Sequence, residues 1–352
     1  MKKILLLLTV LSLYGTLQAQ IYPSPNWEKA NPEKYGYDSK KLDAVRTYII
    51  DSLHTTGCMV VVSGEVIFEY GSLIRVSYIA SCRKSILAMM IGKYVENKTI
   101  DLSQTMADLG IDDIGGLLPI EKQATFNHLI TARSGIYHDA SNGGDDAERR
   151  PPRGSKQPGE YYLYNNWDFN AAGTIFEQLT GRNIYKTFNN DIAIPIGMQD
   201  YELSNQKKGG NLSISKFPAY HFYFSTRDMA RLGYLMLRNG QWEEEQVVSA
   251  NWAKTITSVV TPKREMNPIT PNRDLFEYGY MWWLFNVDDV PALKGAYTAW
   301  GAMGQYITVI PALDMVIAHK TDSVYERKTS FEQYYTLLRM IIDTKKNKTI
   351  NT

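Results

Sequence analysis

The sequence has few of the residues from which metal sites and disulfide networks are built. Its 352 residues include two cysteines and five histidines. Two cysteines do not make the framework of a disulfide-rich protein or a cysteine-based metal site. Cys58 and Cys82 could pair in an oxidising compartment, but we interpret them as two separate buried thiols. The histidines show no His-Glu-x-x-His or other ligand spacing, so we expect neither a metal site nor a cofactor.

An excess of charge of one sign is missing as well. The chain carries 38 lysines and arginines against 37 aspartates and glutamates, a formal net charge of +1. This balance gives no electrostatic footprint for nucleic acid or an anionic membrane surface. The sequence also lacks a Gly-x-Ser-x-Gly elbow, a Gly-x-Gly-x-x-Gly loop and a Walker loop, which disfavours the hydrolase and nucleotide-binding plans built on them.

The sequence has one markedly apolar run, at the N-terminus, and this run is short. Lys2 and Lys3 precede an apolar stretch over residues 4–13, and Leu-Gln-Ala at residues 17–19 forms a suitable cleavage site. The apolar stretch is too short to span a bilayer, which needs ~20 residues. We therefore predict a signal peptide over residues 1–19, no membrane anchor, and a mature protein that is periplasmic or secreted.

The rest of the chain changes its pattern from strand to helix and back to strand. Two β-branched and aromatic runs within residues 57–70 flank Ser63 and Gly64, which predicts a β-hairpin. A broad apolar face predicts a long helix over residues 81–97. Other helices are expected at 168–181, 226–239 and 331–343, and late strands at 278–285, 306–310 and 315–319.

Strands at both ends of the chain therefore bracket a helical middle. The economical arrangement is an α+β fold in which both ends build one antiparallel sheet, flanked by helices, and the middle forms an inserted, mostly helical lobe. We place one domain at residues 20–352, with the sheet lobe at about 20–80 and 220–345 and the helical lobe at about 81–219. The charges of residues 143–156 largely cancel, so this run is interpreted as a solvated loop.

The spacing Ser-x-x-Lys occurs three times, at Ser81/Lys84, Ser204/Lys207 and Ser213/Lys216. The last two pairs lie in a polar, glycine-containing stretch that is typical of a loop. Ser81 instead stands where a strand gives way to the long helix, so the helix dipole would favour an alkoxide there, and Lys84 would lie one turn along the same face. A lysine amine held against apolar residues can be neutral and accept a proton. The alternative is a helix N-cap serine followed by a surface lysine.

Four further blocks accompany the first pair in a fixed order. Residues 128–135 read His-Leu-Ile-Thr-Ala-Arg-Ser-Gly, and residues 158–166 read Pro-Gly-Glu-Tyr-Tyr-Leu-Tyr-Asn-Asn. Residues 225–231 and 278–283 supply the other two blocks. From about residue 35 to residue 343, the sequence thereby resembles the serine β-lactamase and penicillin-binding-protein superfamily, in particular its class C-like branch of esterases, D-amino-acid peptidases and amide hydrolases.

The resemblance implies a role for each matching residue. Ser81 would be the nucleophile and Lys84 its proton partner. Tyr164 would be the companion base, with its phenolate stabilised by the lysine. Asn166 would hold Lys84 and the amide of the substrate by hydrogen bonds. From the residues alone, Tyr-Asn-Asn at 164–166 also predicts a turn, and the two interpretations are compatible.

The third motif of this superfamily, usually Lys-Thr-Gly or His-x-Gly, matches residues 300–306. Gly304 is kept, but Ala302 stands where the lysine or histidine is expected. That cation commonly helps to bind a substrate carboxylate, so its absence disfavours β-lactam hydrolysis and D-Ala-D-Ala recognition. An oxyanion hole needs only backbone N–H groups, and we expect them at Ser81 and Gln305. Gly304 is expected to let the substrate lie close to the strand.

The sequence thus predicts an exported serine hydrolase that cleaves a small ester, amide or peptide-like substrate through an acyl-enzyme on Ser81, without a nucleic-acid partner. A true β-lactamase or D,D-peptidase is one alternative, and a non-catalytic binding or sensor module is another. The substrate, the balance of esterase and amidase activity, and the oligomeric state do not follow from the sequence.

Overall fold

The computed structural model describes residues 20–144 and 146–346, so the predicted signal peptide lies outside the described residues. The helices are α1 (Ser39–Ser52), α2 (Cys82–Glu96), α3 (Phe126–Ile130), α4 (Asn166–Thr180), α5 (Ile184–Phe188), α6 (Thr226–Leu237), α7 (Ala250–Ile256) and α8 (Phe331–Asp343). The strands are β1 (Gly57–Val62), β2 (Glu65–Gly71), β3 (Ser77–Tyr78), β4 (Lys207–Gly209), β5 (Ala219–His221), β6 (Tyr223–Phe224), β7 (Gln241–Trp242), β8 (Glu245–Gln246), β9 (Phe276–Tyr278), β10 (Trp283–Phe285), β11 (Tyr297–Gly301), β12 (Gln305–Ile310) and β13 (Met315–Lys320).

Seven of these strands form one antiparallel sheet in the order β2-β1-β13-β12-β11-β10-β9. The early hairpin β1–β2 joins the late strands through β1 and β13, where Val60 pairs with Ile317. Its turn has positive φ at Ser63 and Gly64, as a tight two-residue hairpin requires. The predicted sheet built from both ends of the chain is confirmed.

Helices cover both faces of this sheet. On β12, Tyr306 stacks on Tyr334 of α8 with ring centres 3.7 Å apart. The next residue, Ile307, lies against Gly233 of α6, so close that a Cβ on that glycine would come within 2.9 Å of it. Because neighbouring residues of a strand point to opposite faces, α8 and α6 lie on opposite sides of the sheet. Because helices cover both faces of the sheet, all six residues of β12 are buried.

Helix α2 is buried almost all round. Twelve of its fifteen residues are buried, and it packs against α4, α7 and strand β11. A helix in this position has no polar face turned to water, which explains why its sequence shows a broad apolar surface rather than a narrow stripe. The beginning of α2 therefore lies deep in the molecule, between the sheet and the helical part of the chain.

The predicted strand over residues 278–285 is wrong, because it is two strands joined by a turn. Strand β9 ends at Tyr278 and β10 begins at Trp283, with Met281 at φ +60° between them. Ser85 of α2 donates a hydrogen bond of 2.6 Å to the Met281 carbonyl, which holds this turn against the helix. Seven of the eight residues in this segment are aromatic or apolar, and Gly279 was the one turn signal, so the sequence pattern did not reveal the turn.

The charged run at residues 143–156 is anchored more firmly than a solvated loop. Arg153 pairs with the buried carboxylate of Glu121, and Asp146 is 9% exposed and pairs with Arg273. The interpretation as a solvated loop is therefore wrong for Asp146 and Arg153, because each of them forms an ion pair with a residue outside the run.

Two further expectations concern the cysteines and membrane segments. Cys58 and Cys82 are both buried and unpaired, as the interpretation as separate thiols requires. Across residues 20–144 and 146–346, each helix is too short or too polar to cross a lipid bilayer.

Candidate active site

The chain turns sharply from β3 into α2 at the predicted nucleophile. Ala80 has φ +48°, a left-handed conformation that is strained for alanine, and Ser81 follows at the N-cap position of the helix. The Ser81 side chain makes no capping hydrogen bond, and Lys84 is 1% exposed. Neither half of the alternative, a capping serine followed by a surface lysine, therefore matches this geometry.

Lys84 lies against the predicted companion residue Tyr164. The Nζ atom is 4.0 Å from the centre of the Tyr164 ring and 4.4 Å from the centre of the Phe169 ring. Asn165 holds Tyr164 at the start of α4, because its side chain caps that helix by accepting from the backbone N–H of Trp167. Two elements far apart in the sequence thus bring the amine and the phenol ring together in a buried place.

Gln305, the predicted second oxyanion donor, begins strand β12 and lies next to the turn that carries Ser81. The thiol of Cys82 donates to the Gln305 carbonyl over 3.3 Å, which joins the first residue of α2 to the first residue of β12. Gly301, the register partner of Gln305, makes this approach possible, since a Cβ there would come within 2.4 Å of the Ile79 carbonyl oxygen. Ser81 and Gln305 consequently lie on adjoining segments.

Gly304 has a structural role in addition to the one expected. Its φ is +100°, and a Cβ at this position would come within 3 Å of the side chains of Thr321 and Thr329. The expected reason for a glycine here, space for a substrate beside the strand, stays a prediction. Glycine is needed for the backbone conformation of the turn between β11 and β12 and for its packing against the two threonines.

Asn166 does not hold Lys84. Its amide nitrogen donates to the Gly143 carbonyl over 3.3 Å, and its buried Oδ1 atom accepts no hydrogen bond from the described residues. The expected Asn166–Lys84 hydrogen bond is thus not formed. The unsatisfied oxygen leaves Asn166 able to accept a hydrogen bond from a ligand.

A cavity of about 220 Å³ opens beside Ser81. Its lining residues are Ser81, Tyr164, Arg273, Trp283, Trp300 and Ala302. Two of them, Trp283 and Trp300, are tryptophans with ring centres 5.0 Å apart. The neighbouring Trp282 packs edge-on against Tyr297 in the core.

Arg273 is the charged residue of this cavity, and sequence analysis missed it. It begins a short turn just before β9 and donates to Asp146 Oδ2 over 2.6 Å. Burial lowers the pKa of Arg273, but the nearby oxygens of Tyr162, Asp146 and Tyr164 outweigh it, and the pKa is raised overall. Arg273 therefore remains cationic beside Tyr164. No motif signals this residue, because its meeting with Asp146 depends on the folded chain.

Asp168 is a buried titratable residue that sequence analysis also missed. It accepts hydrogen bonds from Ser134 Oγ over 2.7 Å and from Asn165 Nδ2 over 3.4 Å, and it interacts electrostatically with Lys84. Burial raises the pKa of Asp168 well above its usual value, although these three partners favour the carboxylate. The motif that placed Tyr164 ends two residues earlier, so spacing gave no reason to single out this aspartate.

The described residues contain no group of three histidine, cysteine, aspartate or glutamate side chains close enough together to hold a metal ion. The cavity presents a hydroxyl, a phenol and a guanidinium, and the buried amine of Lys84 lies over the phenol ring. These groups fit nucleophilic chemistry on an acyl compound.

Comparison with known proteins agrees with this arrangement. The model of the family described as Beta-lactamase matches residues 60–338. The chain belongs to the beta-lactamase family. Members of this family are serine hydrolases, and the superfamily predicted from the sequence motifs is confirmed. No curated protein matches the sequence of this beta-lactamase family member.

Several solved structures share the fold. A putative 6-aminohexanoate-dimer hydrolase from Bacillus anthracis is 19% identical, with a TM-score of 0.67 over 92% of this chain and 88% of that one. A putative beta-lactamase from Bacteroides dorei is 18% identical, with a TM-score of 0.65 over 88% and 99%. EstCE1, described as a hydrolase with promiscuous acyltransferase activity, is 14% identical, with a TM-score of 0.62 over 87% and 97%. At these identities the likeness establishes the fold, and the reaction is argued from the site.

Proposed function

We propose that this beta-lactamase family member is an exported serine hydrolase that cleaves a small ester, amide or peptide-like substrate. The observation that carries the proposal is the position of Lys84 over the Tyr164 ring, 4.0 Å from its centre, on a helix whose N-cap serine, Ser81, makes no capping hydrogen bond. Both Ser81 and Tyr164 line the same cavity. A serine in a purely structural role would cap the helix, and a purely structural lysine would not need burial beside a tyrosine.

In the reaction that we propose, Ser81 Oγ attacks the substrate carbonyl while its proton passes to Tyr164. The tetrahedral oxyanion lies between the backbone N–H groups of Ser81 and Gln305. Tyr164 then gives the proton to the leaving group, which departs and leaves an acyl-enzyme on Ser81. A water molecule deprotonated by Tyr164 attacks the ester, the acid is released, and Ser81 regains its proton.

The surroundings of Lys84 support Tyr164 as the base and Lys84 as its electrostatic partner. An ammonium ion at Lys84, which lies against the Tyr164 ring, favours a phenolate there. The cationic Arg273 acts in the same direction from the cavity side. Asn166, whose Oδ1 atom has no hydrogen-bond partner among the described residues, would accept from an N–H of an amide substrate.

Three features bear on the substrate class. The cavity of about 220 Å³ suits a small acyl group. One neighbour in fold is described as a hydrolase of a 6-aminohexanoate dimer, and another as a hydrolase with acyltransferase activity, which supports an ester or amide substrate. Ala302 leaves the cavity without a cation at the position from which this superfamily commonly holds a β-lactam carboxylate, so we rank the β-lactamase and D,D-peptidase alternative second.

The proposal is tested by ester hydrolysis with purified Ser81→Ala, using phenyl acetate as the substrate. Ser204→Ala is the matched control, because Ser204 belongs to another Ser-x-x-Lys pair and is exposed. We expect Ser81→Ala to lose turnover and Ser204→Ala to keep it. Unchanged turnover in Ser81→Ala would defeat the proposal. A parallel nitrocefin assay separates the second candidate, for which rapid, Ser81-dependent opening of the β-lactam is required.

A further inference from the structure

The positive charge of the cavity beside Ser81 does not come from residue 302, where this superfamily usually has a lysine or histidine. Ala302 and Arg273 both line it, and Arg273 is its one charged lining residue among the described residues. The positive group therefore comes from the turn before β9 instead of from residue 302. Trp283 supports the guanidinium, whose central carbon lies 5.7 Å from the ring centre.

The guanidinium is held at one nitrogen. Nη1 donates to Asp146 Oδ2 over 2.6 Å and to the Asn267 carbonyl over 3.4 Å. Among the described residues, none accepts a hydrogen bond from Nε or Nη2 of Arg273. Because a guanidinium presents its donors as a fork, Asp146 can fix the orientation of Arg273 while its other N–H groups serve a second carboxylate.

A second cavity, of about 470 Å³, adjoins the first. Arg273 and Trp300 line both cavities, so the two meet at these side chains. A substrate whose scissile carbonyl lies at Ser81 and whose remaining part extends into the second cavity must pass the guanidinium. A group of negative charge on that part would be stabilised there, and a neutral group would leave the charged N–H groups without an acceptor.

We propose that Arg273 binds a carboxylate of the substrate, so that the enzyme prefers esters or amides that carry an anionic group close to the scissile bond. The inference rests on the proposed function, because it names a substrate class for the same cavity. It also explains how the cavity can hold a carboxylate although residue 302 is an alanine, since Arg273 supplies the positive charge from a different element.

Two pairs of matched esters test the inference. The first is 3-acetoxybenzoate with methyl 3-acetoxybenzoate, which places the carboxylate on the leaving group. The second is phenyl hydrogen adipate with phenyl methyl adipate, which places it on the acyl group. The measured quantity is the ratio of kcat/KM for the anionic ester to kcat/KM for the neutral one, because this ratio removes any loss that both esters share.

For at least one pair, we expect Arg273→Gln to lower this ratio by about 10- to 100-fold, which corresponds to the loss of a charge-assisted hydrogen bond. Arg273→Lys keeps the positive charge and should retain part of the preference. Arg264→Gln removes the same formal charge from an exposed side chain of the preceding segment, and its ratio should stay at the wild-type value. Circular dichroism verifies that each variant is folded.

The outcomes separate the two proposals. A ratio that is equal in wild type and folded Arg273→Gln for both pairs, or that falls equally in Arg264→Gln, overturns the carboxylate inference. If folded Arg273→Gln cannot be obtained, an equal ratio in wild type and Arg273→Lys, together with no preference of the wild type for either anionic ester, overturns it as well. Hydrolysis of the neutral esters that persists in Ser81→Ala overturns the proposed function itself.

Discussion

Lys84 Nζ lies 4.0 Å from the centre of the Tyr164 ring, although the two residues belong to different elements of the fold. Helix α2 carries the lysine, and the segment that leads into α4 carries the tyrosine. Both side chains are at least nine-tenths buried, so a charge on either is poorly screened by water and strongly felt by the other. We therefore treat Lys84 and Tyr164 as one unit, in which the charge of each residue depends on the other.

Removing either member of this unit should stop the reaction. We expect Lys84→Ala and Tyr164→Phe each to lower kcat by about 10²- to 10⁴-fold, the usual contribution of general acid–base catalysis. The double variant should be no worse than the poorer single one, because the residues act together. Lys207→Ala is the control, since Lys207 also lies over a tyrosine ring but is exposed. Losses that multiply in the double variant would show that the two residues act independently.

Asp168→Asn should change how stability depends on pH. Because burial raises the pKa of Asp168, the folded chain keeps a proton there that the unfolded chain releases above about pH 4. The unfolded state then binds fewer protons, so this residue makes wild-type stability fall as the pH rises through that window. The asparagine variant lacks the titrating group and still offers an oxygen to Ser134.

Chemical denaturation of wild type and Asp168→Asn at several pH values measures this effect. The free energy of unfolding of the variant, relative to wild type, should increase from pH 4 to pH 7. A difference that stays constant over this range would mean that Asp168 is ionised in the folded protein.

His319 gives a pH effect of the opposite sign. It is fully buried between Thr55 and the Gly304 carbonyl, and burial lowers its pKa to about 4. Between about pH 4 and pH 6.5 the unfolded chain binds a proton that the folded chain does not, so stability rises with pH by about 3 kcal/mol across this window. His319→Gln should lose this part of the slope. His54→Gln, an exposed control, should keep it, and an equal slope in all three proteins would contradict the assignment.

Gly301→Ala should disturb the contact between strand β12 and the turn that carries Ser81. A methyl group there would come within 2.4 Å of the Ile79 carbonyl oxygen, and overpacking of this kind costs about 1–3 kcal/mol. We expect a lower Tm together with a loss of kcat, because the backbone N–H groups of Ser81 and Gln305 move apart. Gly143→Ala, which meets no atom within 4 Å, serves as the control for Tm. A folded Gly301→Ala with wild-type Tm and kcat would contradict this role.

Local signals in the sequence were sufficient for much of the fold. Helix α8 spans the predicted residues 331–343, because its amphipathic pattern begins after a capping box at Ser330 and Gln333. The β1–β2 hairpin was predictable because Ser63 and Gly64 separate two β-branched and aromatic runs, and Gly64 tolerates the positive φ of the turn. The Ser81 turn was predictable because a change from strand to helix pattern coincided with Ser-x-x-Lys.

The features that sequence analysis missed are those that depend on distant parts of the chain. Arg273 enters the cavity through its pairing with Asp146, and neither residue belongs to a motif or a periodic pattern. Asn166 was assigned to Lys84 by resemblance, but the fold directs its amide to Gly143. A motif thus predicted which residues approach the site, whereas their partners depend on the packing of loops that carry no local signal.

The central claim is that Ser81 is the nucleophile, and covalent labelling tests it most directly. The protein would be treated with a fluorophosphonate probe, digested, and mapped by mass spectrometry, with Ser81→Ala and Ser204→Ala treated alongside. The account predicts one labelled peptide, containing Ser81, in wild type and Ser204→Ala, and no labelling in Ser81→Ala. A label on any other residue, or a wild-type protein that is folded and unlabelled, would contradict it.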